Sequence, residues 1–203
     1  PLLPEQCIVV TRAAFERVRA SGTPLGASRL GRPMLGVKCG CNDAYLVECT
    51  GGDDVMATVA RRGRAGRVER ALLRPLLRGE SLTRWTVRRS PQAIVWTHTP
   101  ADAPLVALPA EAARWLAPWR RRLRARVDLH GSPVWWMLFR TEGADHRHTR
   151  VVWGDFGRAP RAAILAAGDP TVPLNSCYLL SCGDPLDALA MAALLNGPLA
   201  AAW

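Results

Sequence analysis

An α+β fold of mixed, mostly antiparallel strands with peripheral helices is predicted by three observations. Strand-like and helix-like stretches alternate without a repeating βαβ rhythm. Two of the strand-like runs are joined by Gly51-Gly52-Asp53-Asp54, a turn that closes hairpins between antiparallel neighbours. At 203 residues the chain is long enough for one substantial core.

The elements follow in order. Thr11 is an N-cap for a helix over Arg12 to Ala20, with Ala14, Phe15 and Val18 on one face, and Ser21-Gly22-Thr23-Pro24 ends it. After a glycine-punctuated stretch from Gly26 to Gly40, Ala44 to Cys49 reads as a strand and Val55 to Ala60 as its returning partner. Arg61 to Arg67 reads as a basic, glycine-rich loop, and Val68 to Leu77 as helix-like, interrupted by Pro75. Ala93 to Thr97 is strand-like. Glu111 to Leu116 and Trp119 to Arg126 form two helical pieces split by Pro118, and Val134 to Phe139, Arg150 to Trp153 and Cys177 to Leu180 read as strands. Asp184-Pro185 opens a last helix over Leu186 to Leu195, with proline in its favoured first turn.

The formal net charge is +10, and Lys38 is the only lysine among the 27 basic residues, so the rest are arginine. Arginine presents a planar fork suited to phosphate and guanine edges, which makes a polyanion-binding face the functional reading and an arginine-rich solvated surface the bland one. No apolar run approaches the roughly 18 residues that span a bilayer, and Pro1 to Val10 lacks the pattern of a secretory signal; a cytoplasmic protein with no membrane partner is expected. Six cysteines stand at positions 7, 39, 41, 49, 177 and 182. The Cys39-x-Cys41 spacing is not a zinc knuckle, so buried thiols are the expectation and no metal is assigned.

Catalytic signatures are missing from the sequence. There is no Gly-x-Gly-x-x-Gly turn and no Walker-type loop, and Asp155-Phe156-Gly157 has no His-Arg-Asp before it. Asp128 with His130, or Asp145 with His146 and His148, are the nearest approach to acid–base pairs.

Local patterns carry more. In Gly36-Val37-Lys38-Cys39-Gly40-Cys41-Asn42-Asp43, glycines on either side of Lys38 allow a tight path by which main-chain N–H groups reach a phosphate, with Lys38 as a point charge. Leu72, Leu73, Leu76 and Leu77 form an apolar face at helical spacing, with Arg74 and Arg78 four apart on another face as a phosphate clamp. Arg120, Arg121, Arg122, Arg124 and Arg126 surround Trp119 and Leu123, ahead of Trp135-Trp136.

Taken in order, these stretches resemble the C-terminal target-recognition domain of Taq-type adenine-N6 DNA methyltransferases, including the fused restriction–modification enzymes. Gly36, Lys38, Gly40, Asn42 and Asp43, with Tyr45 in an aromatic place, match the opening loop of that domain. Leu73, Pro75, Leu76, Leu77 and Gly79 match its next landmark, and Leu123, Arg126 and Trp135 a third. Val151 to Trp153, Asn175 to Tyr178 and Leu194 to Gly197 complete the series, with Cys39 and Gly197 as departures where the family has threonine and serine.

The resemblance implies a sequence-recognition segment that positions double-stranded DNA for methylation. S-adenosylmethionine would be held by a covalently linked N-terminal methyltransferase domain carrying an Asn/Asp-Pro-Pro-Tyr/Phe loop, a tetrapeptide this chain lacks. No cofactor and no catalytic residue is assigned to this segment. With no initiator methionine and an Ala/Leu-rich run into Trp203, the chain reads as part of a longer protein: a helical linker over residues 1–30 and the recognition domain over 31–203. A non-catalytic specificity subunit of a multi-subunit restriction–modification complex is the alternative. The expected DNA-binding residues are Gly36, Lys38, Gly40, Asn42, Arg61, Arg62, Arg64, Arg74, Arg78, Arg120 and Arg124. Base readers are sought among Arg88, Arg89, Gln92, Arg147 and Arg158.

Overall fold

The computed structural model describes residues 12–155, 157, 160–198 and 200. Thr11, Cys7, Arg158 and the side chains of Phe15 and Val18, all named above, lie outside the described residues. The architecture is α+β, with two open, mostly antiparallel sheets and helices at their periphery. Its elements are α1 (Arg12–Ser21), β1 (Met34–Leu35), α2 (Asn42–Tyr45), β2 (Leu46–Gly52), β3 (Met56–Arg61), β4 (Arg64–Glu69), β5 (Leu73–Leu77), β6 (Gln92–Val95), α3 (Ala110–Leu116), α4 (Arg120–Arg124), β7 (Thr149–Gly154), β8 (Ala162–Leu165), β9 (Val172–Pro173), β10 (Cys177–Cys182) and α5 (Pro185–Asn196). One sheet runs β4-β3-β2-β6-β5-β9 and the other β1-β10-β7-β8, with β5–β9 the one parallel pairing between named strands.

Four sequence expectations are corrected here. The stretch Arg61 to Arg67 is a hairpin rather than a loop: Arg62 (φ 45°) and Gly63 (φ 78°) form its two-residue turn, and Arg64 onward pairs back on β3. Positive φ at both central residues gives the turn the twist that antiparallel strands need. Val68 to Leu77 is the end of β4, a short 3-10 turn and β5, not a helix. Proline inside a helix costs about 3 kcal/mol. In β5 it is tolerated because Pro75 ends the pairing with β6, and the next residues, Leu76 and Leu77, pair with β9. Val134 to Phe139 forms irregular turns, held to the rest of the chain by a bridge between Phe139 and Lys38. The strand placed at Ala44 starts at Leu46, after the one-turn helix α2, whose Ala44 and Tyr45 amides both donate to the Cys41 carbonyl.

The main core lies under the six-stranded sheet, where Tyr45, Leu46, Ile94, Trp115, Leu116, Leu123 and Leu138 are fully buried. The four-stranded sheet is buried on both faces, because alternate residues of each strand point opposite ways. Val152 and Leu179 turn toward Leu77 and Leu82, whereas Val151 and Leu180 turn toward Ala188 and Ala192 of α5. Asp184 caps α5 by accepting from the Leu186 amide at 2.9 Å. At the other end of α5, buried Asn196 accepts from the Ala162 amide and donates to the Ala162 carbonyl, both at 2.9 Å, which fixes the helix to β8. Leu25 and Leu30 pack against this cluster, so packing begins ahead of the boundary drawn at residue 30. Among the described residues, no helix is long and apolar enough to cross a membrane.

Candidate nucleic-acid interface

The basic surface is assembled from two stretches far apart in sequence, the β3–β4 hairpin and α4. Glu69, the last residue of β4, accepts from the Glu111 and Ala112 amides at 2.8 and 2.9 Å. These are first-turn amides of α3 with no intrahelical partner, so the carboxylate docks the helix on the strand. Trp115 on α3 then lies across β4. A side chain at Gly66 would put a Cβ only 2.8 Å from the Trp115 ring, which is why that strand position carries glycine. The Trp115 indole donates to the Ala44 carbonyl at 2.8 Å, tying α3 to α2. Pro118 sits in the 3-10 turn that redirects the chain into α4, where Leu123 is buried and Arg120, Arg121, Arg122 and Arg124 are not.

Asp43 on α2 is the point where the two stretches meet. Its carboxylate lies 3.1 Å from Arg62, 3.6 Å from Arg122 and 3.9 Å from Arg61. Arg62 and Arg122 remain mostly exposed, while Arg61 is largely covered and its Nε has no hydrogen-bond partner. Arg64 stacks over Trp119 and Trp115 at 5.0 and 5.2 Å, and Arg120 over Trp135 at 5.5 Å. Ala117, Pro118, Arg120, Arg121 and Arg124 line an open concavity of about 610 Å³. One carboxylate does not neutralise this many guanidinium groups, so the face keeps a net positive charge and several free forks.

Five of the expected site residues are thus brought together: Arg61, Arg62, Arg64, Arg120 and Arg124. Of the remaining six, Asn42 adjoins Asp43 on α2, and the other five lie elsewhere and are differently engaged. Gly36 faces the β9 end of the fold, where a Cβ would come within 2.3 Å of the Leu174 carbonyl oxygen. The amides of Gly36, Val37 and Lys38 donate to the carbonyls of Cys177, Pro173 and Phe139, so these three N–H groups are spent inside the protein rather than free for a phosphate. Lys38 is not an isolated point charge, since its Nζ lies 2.6 Å from Asp128. That hydrogen bond holds the Asp128 carboxyl below its ordinary value. Gly40 adopts φ +67° beside the Arg126 side chain, and Asn42 accepts from the Cys39 thiol at 3.2 Å. Arg74 and Arg78 do not share a helix face. Arg74 is half-buried, stacked 4.5 Å over Trp96 and donating to Ala144 and Pro170 carbonyls, and Arg78 pairs with Glu80 at 3.0 Å.

Of the base-reading candidates, Arg88 donates to the Glu80 carbonyl, Arg89 lies 3.8 Å from Asp169, and Gln92 begins β6. Arg147 grips Asp145 through both carboxylate oxygens. Hydrogen bonding by Arg147 drives the Asp145 carboxyl far below the usual carboxylate range, which leaves it a poor general base beside His146 and His148. Among the described residues, no group of three or more His, Cys, Asp or Glu could hold a metal ion. The described cysteines are free thiols, all buried except Cys49. Burial pushes the Cys39 thiol up to about 11, so it is an inert neutral side chain.

Sequence reasoning missed Asp43 as the hub of the arginine cluster and took it only as part of the opening-loop motif. It also gave Trp85, in Thr83-Arg84-Trp85 after the Leu73–Gly79 motif, no role of its own. The indole is 53% exposed on a backbone with φ +72°, in a tight turn between Leu82 and Val87, which bridge each other. Positive φ in a bulky residue is uncommon and costs roughly 1–2 kcal/mol. No residue type in Thr83-Arg84-Trp85-Thr86 announces it, because glycine or asparagine is the usual signal for such a turn. No protein-family model matches the chain, and no curated protein matches it.

Proposed function

We propose that this chain is the DNA sequence-recognition segment of a site-specific adenine-N6 DNA methyltransferase of a restriction–modification or phage-defence system, working in the cytoplasm. Its partner is double-stranded DNA, and methyl transfer belongs to a linked domain that binds S-adenosylmethionine. The ordered motifs set out above support the family assignment. The observation that carries the DNA reading is the convergence of the β3–β4 hairpin and α4 on Asp43, which holds exposed Arg62 and Arg122 together, while Arg120, Arg121 and Arg124 of the same short helix line a concavity.

Physically, this face does the positioning half of recognition. Guanidinium forks take phosphate oxygens of the duplex, and the release of condensed counterions supplies most of the affinity. Arg64 and Arg120, braced on tryptophan rings, lose little side-chain freedom when they engage. Sequence is read by polar side chains that the phosphate contacts hold in register.

The test is fluorescence anisotropy with a labelled mixed-sequence duplex over a series of salt concentrations. Neutralising about six phosphates gives log affinity a slope near −5 against log salt. A chain that ignores duplex DNA at roughly 50 mM salt, where such contacts are strong, overturns the reading.

A further inference from the structure

Trp85 lies away from the hairpin–α4 face, at the free edge of the four-stranded sheet, where its amide donates to the Ala162 carbonyl of β8 at 2.8 Å. Around it the turn is closed by the Leu82–Val87 bridge and by hydrogen bonds from Thr83 N to Thr86 O and from Arg88 N to Ser81 O. The backbone is therefore over-determined and holds φ at +72°. A residue strained in this way normally gains burial for its ring, and this one does not. The indole is 53% exposed, and among the described residues its Nε1 has no hydrogen-bond partner and its ring no stacking partner. Arg84 beside it and Arg161 beside Ala162 are both exposed.

Strained backbone that the fold itself does not reward is a mark of a contact made with something else. An exposed aromatic ring with exposed arginines next to it on the same turn and beside the paired strand fits one chemistry above others: a nucleobase stacked on the ring, with phosphates on the cations. Resting on the DNA reading given above, we propose that Trp85 is a stacking platform for a base displaced from the double helix, with Arg84 and Arg161 on the adjoining backbone. Because methylation requires its target base to leave the stack, such a platform would hold either that base's flank or the partner base left behind.

The experiment uses the full 203-residue chain. Two labelled mixed-sequence duplexes are compared, one fully paired and one with a single unpaired 2-aminopurine. The unsubstituted protein is expected to bind the unpaired probe about tenfold more tightly and to quench its fluorescence. Trp85→Ala abolishes both effects while keeping the affinity and salt slope for the paired duplex, and Trp85→Phe retains most of both. Trp85→Gly, which relieves the positive φ, melts no lower than the unsubstituted protein but also loses the preference. A Trp85→Ala protein that keeps its preference overturns the stacking assignment and leaves the DNA reading standing. The same holds if Trp85→Ala and Trp85→Gly both lower the melting temperature and weaken binding to the two probes equally. If the unsubstituted protein binds neither duplex, the DNA reading falls and the platform with it.

Discussion

The arginines of the seam between the sheets and those of the hairpin–α4 face are the same residue put to opposite uses. In the seam, Arg150 is fully buried and donates to the carbonyls of Thr171, Asp169 and Gly143. Arg126 likewise donates to the carbonyls of Leu123, Cys39, Trp135 and Met137, so one side chain organises the irregular 134–139 stretch. On the face, Arg62 and Arg122 share Asp43 and point otherwise to water. A guanidinium has five donors and no acceptor, so it replaces missing strand partners for carbonyls as readily as it binds phosphate. The charge count of a sequence therefore overstates its binding surface. Desolvation lowers the Arg150 pKa to about 10, yet leaves it charged at neutral pH, and so its loss is felt as structure.

The sharpest way to break this contrast is Arg150→Ala. Three carbonyls lose a donor inside the core, and the expected cost is roughly 3–5 kcal/mol in a urea titration; a loss under about 1 kcal/mol would make the seam no different from the face. Next is acid. His98 is only 5% exposed, and burial lowers its imidazole to about 4. Between the ordinary value of 6.5 and that lowered one, the unfolded chain binds a proton that the folded chain refuses. Stability is full above the higher value and drains as the pH falls, by at most about 3 kcal/mol. His98→Asn should flatten the melting temperature between those limits, and a curve unchanged by it assigns the acid sensitivity elsewhere.

Glu69→Ala comes third, at about 1 kcal/mol, since it removes the cap that docks α3 on β4. Urea titration of that variant measures how far the face depends on the strand beneath it. Last, replacing Arg120, Arg121 and Arg124 together by alanine should change unfolding free energy by less than about 0.5 kcal/mol. It should nevertheless make the salt slope for duplex DNA shallower by about one for each phosphate left without its arginine. Destabilisation with an unaltered slope would move these residues into the structural class.

Much of the fold was legible from local pattern. The helices at 110–116, 120–124 and 185–196 and the strands at 149–154 and 177–182 followed from periodicity, proline placement and an Asp N-cap. The main errors trace to distant partners, which overrule a local signal or supply one that the sequence lacks. Leu72, Leu73, Leu76 and Leu77 satisfy a helical repeat, but Leu72 ends a 3-10 turn and β6 and β9 take Leu73, Leu76 and Leu77 as a strand. Ala162 to Leu165 carries no strand signal of its own and becomes β8 because β7 lies alongside. For the site, residue type singled out arginines that the fold sets on the hairpin and α4. It could not separate Arg74, stacked over Trp96 and bound to carbonyls, from Arg120, because that difference lies in what the chain folds over them.

The switch of neighbours within β5 has a kinetic meaning. Its first half can zip onto β6, a short way along the chain, but Leu76 and Leu77 remain half-dressed until Val172 and Pro173 arrive. Closing that long loop is slow, and during synthesis an unsatisfied edge stays open until nearly the last strands have emerged. Nascent chains stalled between the two segments should therefore be protease-sensitive at β5 while the hairpin upstream is already protected.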